Sequence, residues 1–241
     1  QLLNKRQTMT DFCYFEMTGT DSEKFLQGQI TANIADIGEQ FLPTAICNLK
    51  GRVQFGIWIA RTLAGFDIVM SSDMADNFIM HIKKYGAFSK ITLSSANPIY
   101  PDVIDDIPTF NKTQQTDTKL WEQLSIKTGN YWLTAKTSEM YQPQELRLHQ
   151  KGGVAYDKGC YLGQEIIARL YFKARPKAYL HRILGVGAIP ATGGDMGRMS
   201  IVNALATDTG FEALVIARPE DLTTVEILPL PKALQEDIGR N

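Results

Sequence analysis

The sequence predicts an α+β chain in two parts, a split β-α-β layer followed by a small all-β, barrel-like module. Three observations carry this. Up to residue 94, aromatic and β-branched runs alternate with two amphipathic helical stretches. A polar segment bearing Pro98, Pro101 and Pro108 then interrupts the pattern. From about Tyr179 onward, short apolar runs are separated by glycines at 185, 187, 193, 194, 197 and 210, as in strands joined by tight turns. The expected division is an α+β region over 1–175, with a linker at about 95–118, and a β domain over 178–241.

The elements follow in order. Asp11 to Met17 is an aromatic-rich strand. Thr20-Asp-Ser-Glu23 has capping-box spacing, and Phe25, Leu26 and Ile30 give the helix after it an apolar face. Phe41–Leu49 and Arg52–Arg61 read as strands joined by a hairpin turn at Lys50-Gly51. Phe66–Met70 is a further strand. Asp73 is placed to cap a helix whose Met74, Phe78, Ile82 and Tyr85 recur at helical spacing, with Lys83 and Lys84 in its last turn and Gly86 as its stop. Lys90–Ser94 closes the layer as a strand. The linker is expected to lack regular structure. Beyond it come a short helix, Lys119–Lys127, ended by Gly129, and a strand at Tyr131–Ala135. In the β module, strands are expected at Leu180–Leu184, Met199–Leu205, Ala213–Ala217 and Thr223–Leu228.

Composition narrows the function. Of 241 residues, 44% are hydrophobic and 21% charged, which suits a globular core. Lys and Arg number 25 against 26 acids, so the net charge of −1 supplies no global attraction to nucleic acid or acidic lipid. The three cysteines, Cys13, Cys47 and Cys160, are odd in number and far apart, which points to a reducing compartment rather than a disulfide scaffold. No run is long enough to span a bilayer, and the start shows no signal-peptide pattern, so the cytoplasm is the expected location.

Lys158-Gly-Cys-Tyr-Leu-Gly-Gln-Glu165 is the stretch most suggestive of chemistry. Gly159 and Gly163 flank Cys160, and Gln164–Leu170 reads as a helix whose free N–H groups would favour an anionic sulfur. Lys158 adds a cation two residues away. Against this stands the ordinary fate of a lone cysteine, that of a small buried hydrophobe, which suits Cys13 and Cys47. The flanking glycines, the lysine and the helix favour function at Cys160. A stable metal site is disfavoured, because one cysteine cannot fill a tetrahedron and the others have no ligand spacing to it. A cysteine–histidine pair with His149 or His181 lacks a diagnostic spacing. His81 lies in an amphipathic helix and reads as structural.

This block resembles the KGCYxGQE motif of the YgfZ-type folate-binding proteins, which are paralogues of the glycine-cleavage T-protein and are linked to iron–sulfur cluster maintenance. Glu23-Lys-Phe-Leu-Gln-Gly-Gln-Ile30, Lys50-Gly51-Arg52, Pro143-Gln-Glu145 and Ile166-Ile-Ala-Arg169 fall in the family's order. The resemblance covers about residues 11 to 182 and thins in the C-terminal module. It implies an aminomethyltransferase-like ring of three lobes around a central cavity for tetrahydrofolate. It also implies iron–sulfur proteins or their assembly machinery as partners, and an influence on tRNA modification that needs no RNA contact.

The resemblance assigns residues as well. Glu145 matches the glutamate that holds the pterin in the T-protein, where a carboxylate can accept the 2-amino group and N3–H together. Cys160, with Lys158, forms the reactive element. Gly159, Tyr161, Gly163, Gln164 and Glu165 support it, with Arg169 a partner for Glu165 four residues on. Gln29 is a cavity-wall candidate, and Gly28 beside it has a helix-end reading as well. The T-protein's Gly-Gly-x-x-Asp-Asp pattern is Gly51-Arg-Val-Gln-Phe-Gly56 here, without a carboxylate, and the arginine of its Gly-Arg-Glu motif is Gln164. The chain therefore lacks the usual acid–base group for aminomethyl transfer. Folate-dependent one-carbon transfer and a non-catalytic scaffold stay as alternatives. The basic, aromatic stretch Arg169, Tyr171, Phe172, Lys173, Arg175, Lys177, Tyr179, Arg182 reads first as a solvated surface, then as a seat for the folate tail, and last as an RNA contact.

Overall fold

The computed structural model describes residues 11–114, 117–235 and 238. The first sheet is made of β1 (Phe12–Thr18), β2 (Leu42–Cys47), β3 (Val53–Arg61), β4 (Gly65–Ser71), β5 (Thr92–Leu93), β6 (Asn97–Ile104) and β7 (Ile107–Asn111). Its order is β2-β3-β4-β1-β6-β7, with β5 also on β1. Helices α1 (Ser22–Gln27) and α2 (Ala75–Tyr85) connect strands within it. Because β4 and β5 both run antiparallel to β1, they are parallel to each other with β1 between them, so β4–α2–β5 is a split β-α-β unit.

Side-chain alternation gives the sheet two apolar faces. Phe15, Met17, Phe55, Ile59, Ile68 and Met70 meet Phe25, Leu26, Phe78 and Ile82 of α1 and α2 on one face. Phe12, Trp58, Val69 and Phe110 meet Trp121 of α3 (Thr118–Thr128) and Trp132 on the other. Glycine ends α3 as the sequence indicates: Gly129 adopts φ 70°, and its N–H returns to Ile126.

After α4 (Gln164–Phe172), strands β8 (Tyr179–Val186), β9 (Asp195–Met196), β10 (Met199–Ala206), β11 (Gly210–Ala217) and β12 (Glu226–Leu228) form a second antiparallel sheet in the order β12-β8-β11-β10-β9. Among the described residues, no helix is long and apolar enough to cross a membrane.

Some local expectations change. Segment 95–118 is not irregular: most of it is the β6–β7 hairpin, turned by Asp105 and Asp106, which both take positive φ without a glycine. Tyr131–Ala135 is not a strand. The Asn203 side chain instead accepts from Trp132 N–H and donates to Trp132 C=O, doing the work of a neighbouring strand. Neither the Thr20–Glu23 capping box nor the Asp73 cap forms: the N-cap positions are Asp21 and Met74, and neither makes a side-chain cap bond. Asp21, the residue before α1, accepts from the Lys90 N–H, and Asp73 accepts from the Ser71 hydroxyl and the Ala135 N–H.

Candidate functional site

The β2–β3 turn and the start of α4 build one corner together. Asn48 Oδ1 accepts from the Lys50 and Arg52 N–H groups, and Gly51 takes φ 72°. Gly163, the N-cap of α4 at φ 77°, packs against this turn so closely that a Cβ there would lie 2.7 Å from Asn48 O and 3.2 Å from Gly51 Cα. A Cβ on Gly51 would in turn lie 2.8 Å from Ile166. These two glycines are needed for close approach as much as for backbone conformation.

The cysteine motif is mounted on that corner. Cys160 is exposed, whereas Cys13 and Cys47 are buried, and burial drives both of their thiols upward from the usual range. Tyr161 is buried, and its ring lies 4.5 Å from Lys158 Nζ. The Leu162 N–H donates to Gly28 C=O, and Gln164 Nε2 donates to the Lys158 and Gly159 carbonyls. Lys158 Nζ donates to the carbonyls of Gln27, Ile30 and Ala32 at 2.8, 2.6 and 2.7 Å. Burial pulls its amine down to about 8.

The other candidates are placed as follows. Glu165 and Arg169 are both exposed on α4, and no ion pair joins them among the described residues. Gln29 is buried, with its Oε1 2.6 Å from His81 Nε2. Burial, with Lys84 nearby, lowers His81 to about 4. Arg182 leaves the basic stretch to pair with Glu212 at 3.0 Å, while Arg169, Lys173, Arg175 and Lys177 stay exposed. Tyr171 stacks on Tyr156 at 4.0 Å.

Glu145 is half-buried. One of its oxygens accepts from the Gln142 N–H at 3.0 Å, and its own carbonyl accepts from Leu180. Burial raises its carboxyl, against the opposing pull of the Gln142 N–H and Arg52. Arg52 also lines a cavity of about 540 Å³ together with Asn48, Lys50, Gln54, Tyr85, Glu139 and Leu162. This cavity therefore touches the motif at Leu162 and the residue that acts on Glu145 at Arg52. Sequence reasoning gave Tyr85 only a place on the repeating face of a helix and did not name Glu139. The signal for Tyr85 was its place at the last turn of α2, and Glu139 at φ 63° had none.

The chain matches no protein-family model. It is 25% identical to the tRNA-modifying protein YgfZ of Enterobacter sp. strain 638, covering 95% of this chain and 93% of that one. It is 26% identical to the protein of that name from Cronobacter sakazakii, with the same coverage. Each alignment runs over more than 300 positions, more than the chain's 241 residues, so these relatives carry insertions that it lacks. Among solved structures, the glycine cleavage system aminomethyltransferase T of Bartonella henselae superposes with a TM-score of 0.65 at 10% identity, covering 87% of this chain and 77% of that one. By sequence over nearly its whole length, the chain is a relative of the YgfZ proteins, and it carries an aminomethyltransferase-like α+β fold.

Proposed function

We propose that the chain is a folate-binding protein of the YgfZ type that acts in tRNA modification by maintaining iron–sulfur proteins in the cytoplasm, with Cys160 as its reactive thiol. The observation that carries this reading is the cavity bordered by Arg52, whose charge acts on Glu145, and by Leu162 of the cysteine motif, although neither Glu145 nor Cys160 is among its lining residues. Glu145 fits a pterin, because one carboxylate oxygen is held by Gln142 while the group stays half-buried, where hydrogen bonds to it are strengthened. Tetrahydrofolate, when bound, would supply the one-carbon chemistry. This chain's part would be to orient the pterin through Glu145 and to present an accessible thiol. Aminomethyl transfer fits less well, since Gly51–Gly56 offers no carboxylate and the cavity wall there is Gln54.

Calorimetric titration with tetrahydrofolate tests the ligand: wild type should bind and Glu145→Ala should bind far more weakly. Absence of binding by wild type removes the folate reading. Complementation of cells lacking their YgfZ protein tests the thiol, and full rescue by Cys160→Ala removes it from the mechanism.

A further inference from the structure

The sequence places Lys158 beside the cysteine, which suggests a cation for the sulfur. The geometry directs it elsewhere. An ammonium has three donors, and three carbonyl oxygens stand 2.6–2.8 Å from Nζ. Those carbonyls belong to Gln27, Ile30 and Ala32, where α1 ends and the chain bends toward its bridge with Ile46, a place where backbone acceptors are otherwise left open. Gln27 Oε1 at 3.3 Å and the Tyr161 ring at 4.5 Å complete the surroundings.

We propose that Lys158 is a positioning residue, an internal cation that closes the C-terminal end of α1 and so fixes where the Cys160 loop stands, rather than a charge acting on the sulfur. This deepens the reading of Cys160 as the reactive group and rests on it. The loop is fastened on both sides of the cysteine to the same helix end, by Lys158 on one side and by the Leu162 N–H to Gly28 C=O on the other. The Gln164 side chain ties the intervening backbone from α4. The exposed thiol sits between these fastenings. Arginine would not substitute, because its donors lie in a planar fork and cannot converge from one point onto three surrounding carbonyls.

The test compares the full chain with Lys158→Met and Lys158→Arg by hydrogen exchange at the Leu162 amide and by the pH dependence of iodoacetamide alkylation at Cys160. Both variants should exchange that amide at least about tenfold faster, since charge-assisted bonds holding the loop are lost. The pH midpoint of alkylation should stay where wild type has it. An upward shift of that midpoint in Lys158→Met, or wild-type protection of Leu162 in either variant, overturns the proposal. If the variants do not fold, NMR relaxation of the lysine side chains in wild type decides: the Lys158 ammonium should be motionally restricted relative to that of the exposed Lys50, and equal mobility overturns the proposal. These readouts require neither folate nor cellular activity, so a failed titration and a failed positioning role are separate results.

Discussion

Under α1 and α2 the sheet is held by apolar side chains: Phe15, Phe55, Phe66 and Phe78 are all fully buried, and Phe55 meets Phe78 edge-on at 5.4 Å. The loop carrying Cys160 lies against the end of that same α1, and although its Tyr161 and Leu162 also pack on the apolar cores, its backbone is tied by a lysine on three carbonyls, a glutamine on two, and one backbone bond. The difference separates two tasks. A dry core sets global stability through area and packing, which are tolerant of small shifts in direction. Hydrogen bonds with fixed directions set the location of one exposed atom.

The contrast can be broken at its strong end first. Phe55→Ala should lower unfolding free energy by about 4 kcal/mol in urea denaturation, because it empties a fully packed position. Gly163→Ala should lower it by about 2–3 kcal/mol, since a side chain there meets both positive φ and the Asn48 carbonyl. A thermal melt showing no loss would mean that the corner between turn and motif is loose.

A smaller effect comes from pH. The imidazole of His81 is held at about 4 when folded and returns to about 6.5 when unfolded, so the folded chain binds fewer protons between those values. The stability present above about pH 6.5 is therefore lost as pH falls toward 4, on the order of 2 kcal/mol from this residue. His149, lowered to about 4 by burial with Arg147 nearby, acts in the same window. His81→Gln should flatten the dependence of melting temperature on pH over this range. The smallest stability effect is expected at Glu145. Burial already raises its carboxyl, so Glu145→Gln should change stability by less than about 0.5 kcal/mol while weakening tetrahydrofolate binding about tenfold or more. Loss of folding in that variant would place Glu145 with the core rather than with the ligand.

Much of the fold was legible because its signals are local. The Lys50-Gly51 turn, the Gly129 stop of α3 and the helix after Gly163 each depend on neighbours in sequence. The β6–β7 hairpin was not legible. Its prolines resemble a linker, and β7, which contains Pro108, is a sheet edge where a missing N–H is tolerated. Trp132 was misread for a different reason, since its partner Asn203 lies 71 residues away. Lys158 shows the same limit inside the candidate site. Its nearness to Cys160 is visible in the sequence, but its carbonyl partners lie 126 to 131 residues earlier. Gln29 was placed on the cavity wall, yet its side-chain oxygen faces the buried His81.

The contact between Gly51 and Gly163 reaches beyond this chain. Two segments more than a hundred residues apart meet backbone to backbone, with no room on either side. Across related sequences these two positions should therefore change together or not at all. A homologue carrying a side chain at one of them must have parted the hairpin from the helix, and with it moved the thiol.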